Sequence, residues 1–394
     1  MDMRNRVEEA VKKYEPELRK LALDIHDNPE LGLEEFKACA WQVALLEKYG
    51  FQVEKNFCGF ETAYRACYRS GKPGPKIAFM AEYDALPGLG HGCGHNLIAT
   101  MSLGSGLVLK EFAEELGGEV YVIGTPAEET AGTKVQMSKM GVFDEMDAAM
   151  MAHPFFRNTD SANYMAIIGR RYEFFGKPSH AASAPDAGIN ALDAVINFFN
   201  LINAMRQQCQ DDARIHGIIT DGGLAPNIIP DYTAANFYIR ANLMSDVEKL
   251  EERVENCAKA AALGTGCTYK ISHIEEDFKD CRSNQTLNRL AVSHIEKFSP
   301  YPFSIFGEKY IPGSTDVGDV SYSCPAIMLG AKIGDSENPM EQHTPHVLEC
   351  AASEPALENA MNFIKGFVMT GIDLISKPEL LEEIKTEFAE IQQK

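Results

Sequence analysis

No stretch of this chain approaches the roughly 18 consecutive apolar residues that span a bilayer, and its opening, MDMRNRVEEAVKKYEPELRK, lacks the apolar centre of a secretory signal. A membrane span and an exported protein are therefore not expected. Ordered cysteine spacing is missing too: ten cysteines scatter from Cys39 to Cys350 without one CxxC pair, which argues against a disulfide framework and fits a reducing cytoplasm. Basic residues are in deficit, with 37 Lys and Arg against 57 Asp and Glu and a net charge of −20. Nucleic-acid phosphates and anionic lipid are repelled by such a field and are not expected as partners. A small anionic substrate is still allowed, because cations within a cleft outweigh distant charges screened by salt. Internal repeats and low-complexity linkers are also absent.

What is present is enough apolar sequence, 45% of 394 residues, to build cores without help. At roughly 100 to 200 residues per domain, two domains are expected. Val7, Val11, Tyr14, Leu18, Leu21 and Ile25 recur at three- and four-residue steps, the stripe of one buried helix face. Asp27-Asn28-Pro29 ends that helix, and a second runs from about Glu34 to Tyr49, stopped by Gly50. Short apolar runs at Lys76 to Tyr83, Glu119 to Thr125 and Asp147 to Ala152 alternate with helical patterns, which implies a parallel α/β sheet. Cys324 to Gly330 reads as one more strand, followed by a long helical region from Leu348 to Ser376.

Between these parts the pattern changes. Strand 166–175, helix 188–207, strands 213–220 and 232–241, helix 245–262 and strand 267–273 follow the order βαββαβ, that of a ferredoxin-like unit. Residues 1–164 and 279–394 are thus expected to form one discontinuous catalytic α/β domain, with 165–278 inserted as a second domain.

Chemically distinctive side chains follow the predicted strands: Asp84, the pair Glu128-Glu129, His153 and His343. Open α/β sheets place their sites on that carboxyl edge. After Asp84 comes His91-Gly92-Cys93-Gly94-His95, whose glycines let the backbone turn tightly around an ion, with Asn96 placed to cap the next helix. Cys93, His95, Glu129, His153 and His343 offer the thiolate, imidazole and carboxylate atoms that zinc accepts, in number sufficient for one or two ions. Adjacent carboxylates suggest divided labour, one on the metal and its neighbour taking a proton from an attacking water.

The segments EYDALPGLGHGCGHN, TPAEE, MAHP, GKPSHAA, APNIIPD, GSTDVGDVS and EQHTP, in that order across almost the whole chain, resemble the M20 family of metallopeptidases and amidohydrolases. The likeness is to its aminoacylase-like branch, with aminobenzoyl-glutamate hydrolases and Xaa-Arg-type dipeptidases. The resemblance implies a zinc-exopeptidase-like α/β catalytic domain with an inserted ferredoxin-like lid through which two copies dimerise. It implies Cys93, His95, Glu129, His153 and His343 as ligands of two divalent ions; the thiolate and imidazoles put zinc first, with manganese, cobalt or nickel as alternatives. It also implies Glu128 as general base and later acid, and His180 as a group that polarises the scissile carbonyl in a neighbouring active site. Asn227 and Arg240 match lid positions that hold a substrate carboxylate. Many relatives carry His-x-Asp where this chain has Glu82-Tyr83-Asp84, so Asp84 is read as an outer carboxylate that orients a ligand histidine.

Each residue has a plainer reading. Cys93 packs as a small hydrophobe in the usual fate of a free thiol, Glu128-Glu129 begins a solvated helix, His180 caps or faces solvent, and Asn227 stabilises its turn. His346 competes with His343. Ser314 and Asp316 are expected to shape a loop near the site, and His26, His216, His273 and His294 to be structural. Hydrolysis of the amide bond of a small N-acyl amino acid or dipeptide with a free carboxylate is the resulting expectation. Its rivals are an amidase using Cys93 as nucleophile and a binding protein that keeps the fold.

Overall fold

Short segments that are apolar on both faces can form strands only where both faces are covered, and four of them make the centre of an eight-stranded sheet. In the computed structural model, which describes residues 2–335 and 342–393, the strands lie in the order Gln52–Lys55, Tyr64–Arg69, Glu119–Gly124, Lys76–Ala81, Ala148–Phe155, Ala326–Lys332, Asn158–Thr159, Phe303–Ser304. From Glu119–Gly124 to Ala326–Lys332 the neighbours are parallel, and Gln52–Lys55 and Tyr64–Arg69 add antiparallel strands at one edge. The sheet belongs to a compact unit of Met1–Asn163, Cys281–Ile311 and Thr315–Lys394.

Helix His95–Leu116 is buried almost all round, as a helix must be when it packs on a sheet and beneath other helices. Gly104 allows this approach, since a Cβ there would stand 2.5 Å from Ile364 and 2.9 Å from Leu18. The Val7-to-Ile25 stripe lies on helix Met3–Asp27 and faces the same core. The expected continuous helix from Leu348 is instead two, Pro345–Cys350 and Glu354–Ser376. Ser353 caps the second by accepting the Ala356 N–H at 3.4 Å, and Pro355 fits only the first turn of a new helix.

Near its end that helix carries Asp373, which accepts hydrogen bonds from His294 Nε2 and Lys377 Nζ, both at 2.9 Å. Burial pushes the Asp373 pKa up, but these two partners outweigh it and hold it below the usual carboxylate range. A carboxylate with a depressed folded pKa stabilises the fold above its unfolded pKa, about 3.9, and loses that contribution as pH falls through the folded value. Asp373→Asn should therefore lower stability by about 1–3 kcal/mol at pH 7. Urea unfolding at falling pH checks this: the gap to wild type must close in acid, and a gap that stays constant contradicts it.

The second unit comprises Tyr164–Asp280 with Pro312–Ser314. Its antiparallel sheet runs Thr268–His273, Ala166–Phe175, Tyr232–Ala241, Arg214–Asp221. Helices Ala191–Met205 and Met244–Thr265 share a core with the sheet built on Tyr172, Phe174, Phe198, Phe237, Ile239 and Val254. Asn190 caps the first helix by accepting the Leu192 N–H at 3.0 Å, and Gly266 ends the second in the left-handed region. Pro312–Ser314 groups with this unit, although sequence placed it in segment 279–394, because Gly313 O accepts the Met165 N–H at 3.0 Å. Among the described residues no helix is long and apolar enough to cross a membrane.

Candidate metal centre and active site

Strand Lys76–Ala81 delivers Glu82-Tyr83-Asp84 to the carboxyl edge of the first unit's sheet. Asp84 is buried, with Oδ1 2.9 Å from His95 Nδ1 and Oδ2 accepting the Glu129 N–H at 3.0 Å. Burial pushes its pKa up, yet the charge and hydrogen bond of His95, with the Glu129 N–H, keep it below the ordinary range. With an ion bound, an ionised Asp84 would keep the proton of His95 on Nδ1 and leave Nε2 to the ion. That Nε2 is buried and makes no hydrogen bond. The loop before it turns at Gly94 (φ 78°), where a Cβ would stand 2.8 Å from the Pro154 ring. Gly94 therefore occupies the cap position, and Asn96 lies inside the helix, donating to Ala22 O at 3.2 Å and Ala351 O at 3.0 Å, contrary to the capping role expected for it.

The Glu128-Glu129 pair follows strand Glu119–Gly124 in a tight turn rather than on a solvated helix, with Ala127 at φ 59°. The turn is held by a residue that sequence reasoning missed, Glu35. Its carboxylate accepts the Ala127 N–H at 2.8 Å and the Thr62 hydroxyl at 2.8 Å, and burial pushes its pKa up to about 7. A non-glycine residue in the left-handed region costs of order 1–3 kcal/mol, which such anchoring offsets.

The predicted ligands converge. Cys93, His95 and His153 present donor atoms within 4.8 Å of one another, as do Cys93, Glu129 and His343, and also His95, Glu128 and Glu129. Cys93 Sγ is 3.5 Å from His153 Nε2, and His153 Nδ1 lies 2.9 Å from Pro154 O, which orients the ring. His343 Nε2 stands 3.1 Å from Glu129 Oε1, and its own N–H donates to Gly92 O at 3.1 Å. His346 is engaged elsewhere, bonded to Asp335 O at 3.0 Å and stacked on Phe156. Of the EQHTP segment, Glu341 lies outside the described residues.

Lys134 carries no signal in the sequence. Glu82 Oε1 pairs with Lys134 Nζ at 2.7 Å, and Lys134 also pairs with Asp316 Oδ1 at 2.6 Å. Asp316 thus acts as a buried counter-ion, while Ser314 lies in the second unit. Burial, Glu82, Glu129 and Asp316 all push the Glu128 pKa well up.

The chemistry of this donor set suits divalent cations. Glu82, Asp84, Glu128, Glu129 and Asp316 crowd five carboxyl groups around one lysine and the His95 and His343 imidazoles, a set that needs added positive charge for all five to ionise in a buried site. Burial pushes the Cys93 thiol up, so its ionised form needs an adjacent cation as well.

His180, Asn227 and Arg240 lie in the second unit. His180 is exposed and its Nδ1 accepts N–H groups of Ala182 at 3.3 Å and Ser183 at 3.2 Å. The backbone ties it to Asn227, whose carbonyl accepts the Ala181 N–H at 3.0 Å. Arg240 sits on the sheet and donates to Ser314 Oγ at 3.0 Å.

Residues 166–265 match a peptidase dimerisation domain. The chain is 35% identical to the Xaa-Arg dipeptidase of Mus musculus over 98% of its own length and 92% of that protein. It is 34% identical to a p-aminobenzoyl-glutamate hydrolase chain of Escherichia coli (strain K12), over 74% of this chain and 64% of that one. Its fold is similar to a putative aminohydrolase from methicillin-resistant Staphylococcus aureus (TM-score 0.77, 20% identity, 95% and 100% of the two chains). It is also similar to a dinuclear metal binding peptidase of the M20 family from Bacillus subtilis (TM-score 0.65, 20% identity, 91% and 98%). The chain belongs to the M20 family and is a hydrolytic enzyme with an α/β domain and an inserted dimerisation domain.

Proposed function

We propose that this enzyme hydrolyses the amide bond of a small N-acyl amino acid or dipeptide that carries a free carboxylate next to the cleaved bond. The observation that carries the proposal is the overlap of the donor triples: Cys93 belongs both to the set with His95 and His153 and to the set with Glu129 and His343. These five residues would hold two divalent ions, zinc being favoured by the thiolate and imidazoles, with manganese, cobalt or nickel possible in the same cage. When bound, such ions supply Lewis acidity to the substrate carbonyl and lower the pKa of water from 15.7 toward about 7.

The protein's own groups do the rest. Glu128, beside the ligands and made more basic by burial and neighbouring carboxylates, would as a carboxylate receive the proton of the attacking water and pass it to the leaving amine. Asp84 holds the His95 ring in place. The partner subunit's His180 would assist the tetrahedral oxyanion, and Asn227 and Arg240 would bind the carboxylate. Arg240 suits this, because burial outweighs its attraction to Tyr238 and Glu275 and lowers its pKa, leaving a charge in want of an anion. The relatives named above act on Xaa-Arg dipeptides and p-aminobenzoyl-glutamate, which supports an aminoacyl or aromatic acyl group on the substrate. We place the enzyme as a homodimer through residues 166–265, in a reducing cytoplasm that suits ten free cysteines.

Dialysis against a chelator should abolish hydrolysis of such amides, and adding back zinc, manganese, cobalt or nickel should restore it at two ions per chain. Esters or amides that block the substrate carboxylate should be cleaved far more slowly. Full activity after complete metal removal, lost instead on thiol alkylation, defeats the proposal in favour of a Cys93 nucleophile.

A further inference from the structure

Asp84 and the Glu128-Glu129 pair reach the metal centre from different strands, and one short segment touches both. Residues 30–35 lie between helices Met3–Asp27 and Phe36–Lys48. On the Asp84 side, the Ala85 N–H donates to Glu30 O at 2.8 Å and Leu31 bridges to Ala85 in parallel register. On the other side, Glu35 accepts the Ala127 N–H at 2.8 Å. Gly32 is pressed against the same turn, where an added Cβ would stand 2.3 Å from Thr130 Oγ1 and 2.9 Å from Ala127 Cβ. The two halves also meet directly, through the Glu129 N–H on Asp84 Oδ2.

The segment is held in a costly conformation. Leu33 lies in the left-handed region at φ 66°, which a leucine rarely adopts. The Glu30 carboxylate accepts the Lys37 and Ala38 N–H groups at 2.8 and 3.0 Å, which fixes the segment on the first turn of the helix that follows. Glu35 is fully buried, and burial together with the Asp84 charge opposes its ionisation. Packing alone would be served better by an apolar side chain. What the carboxyl adds is an acceptor for Ala127, where the turn enters the left-handed region (φ 59°). Ala127 O in turn accepts the Ala131 and Gly132 N–H groups at 3.0 and 2.8 Å, so the backbone at Ala127 governs the span that carries Glu128 and Glu129.

We infer that Glu35 is a positioning residue that acts through Ala127: it holds the turn so that Glu129 stays with the ion ligands and Glu128 beside them, while residues 30–35 set the spacing between that pair and Asp84 with His95. Glu35 itself touches neither ion nor substrate, and the inference rests on the metal-hydrolase reading above. Removing the acceptor leaves the Ala127 N–H unpaired in a buried turn and lets the backbone relax out of the left-handed region. A shift of Glu129 is then felt first in ion affinity, since groups that orient ligands are worth about 10- to 100-fold in metal affinity or activity.

The test is calorimetric titration of the metal-free full-length protein with zinc, at a temperature where circular dichroism shows each variant folded. Glu35→Met keeps the length of the side chain without an acceptor and should bind zinc about 10- to 100-fold more weakly than wild type. Glu35→Gln should recover most of that loss, because its amide oxygen still accepts the Ala127 N–H while its NH₂ group donates to Thr62. Adding Ala127→Gly to Glu35→Met should recover part of it, since glycine takes the left-handed conformation without an anchor. If Glu35→Met does not fold, Gly32→Ala, which crowds the turn from the side of Thr130, carries the test with the same expected loss. Zinc affinity within about threefold of wild type in the folded variant, well short of that span, overturns this inference alone, as does a Glu35→Gln protein as impaired as Glu35→Met. A wild type that binds none of zinc, manganese, cobalt and nickel overturns the metal-hydrolase reading together with it.

Discussion

Glu128→Gln protein should bind two ions as wild type does and lose about 10²- to 10⁴-fold in kcat, the span that a positioned general acid–base contributes. The substitution keeps the shape of the side chain and removes only its capacity to hold and release a proton. It is a demanding test here, because Glu128 and Glu129 both stand within 4.8 Å of His95 donor atoms, and geometry alone permits either to ligate. The environments separate them. Glu129 faces His343 at 3.1 Å and is held low by that hydrogen bond and by the His95 charge against the effect of burial, whereas Glu128 is pushed up by burial and by three carboxylates. A group held ionised is suited to a cation, and a group biased toward protonation is suited to carrying a proton. Glu129→Gln should accordingly lose metal, and Glu128→Gln should lose turnover. Metal titration of both variants by calorimetry decides the matter, and the assignment is reversed if Glu128→Gln is the one that cannot be loaded.

Cys93, His95, Glu129 and His153 are legible in the sequence because they fall in one glycine loop, soon after strand Glu119–Gly124, or near the end of strand Ala148–Phe155, and a strand can be recognised by the residues within it; His343, farther from strand Ala326–Lys332, is legible through the EQHTP segment. The link from Asp84 to His95 is legible for a related reason: eleven residues separate them, and the loop must fold back for both to reach one edge. The pairings of Glu35, Glu82, Lys134 and Asp316 are not. Glu35 meets Ala127 across 92 positions and Lys134 meets Asp316 across 182, and no periodicity says which buried acid will face which donor. Lys134 begins a short helix whose pattern alone suggests an ordinary exposed lysine. The cap before helix His95–Leu116 falls on Gly94 rather than Asn96 because both are acceptable cap residues, and the close approach of Pro154 leaves space only for the glycine. The break before Glu354 does have a signal in Ser353 and Pro355, masked by apolar periodicity that continues through it.

Lys134→Met should destabilise the first unit by about 3–5 kcal/mol, the usual consequence of removing one member of a buried ion pair. Lys134 is fully buried, as are Glu82 and Asp316, so the two carboxyls lose their shared cation where solvent does not reach them. Asp316 is already pushed up to about 6 by burial, with Lys134 opposing the rise, so loss of the lysine sends it higher still. The sign of the pH dependence follows. A carboxyl whose folded pKa exceeds its unfolded value weakens the fold when both states are ionised and ceases to do so once acid protonates the folded form. The deficit of Lys134→Met should therefore be largest near pH 8 and shrink toward pH 5. The deficit of Asp373→Asn also narrows in acid, but at lower pH and for another reason, since there acid removes a stabilising pair from the wild type. Adding Asp316→Asn to Lys134→Met removes one of the stranded charges and should recover part of the loss, because contacting residues are not additive. Urea unfolding of the metal-free wild type, single and double variants measures this, keeping ion binding out of the comparison. A Lys134→Met deficit below about 1 kcal/mol at pH 8, the range of an exposed pair, contradicts the argument, because it means the two carboxyls find other partners or water when the ammonium is taken away.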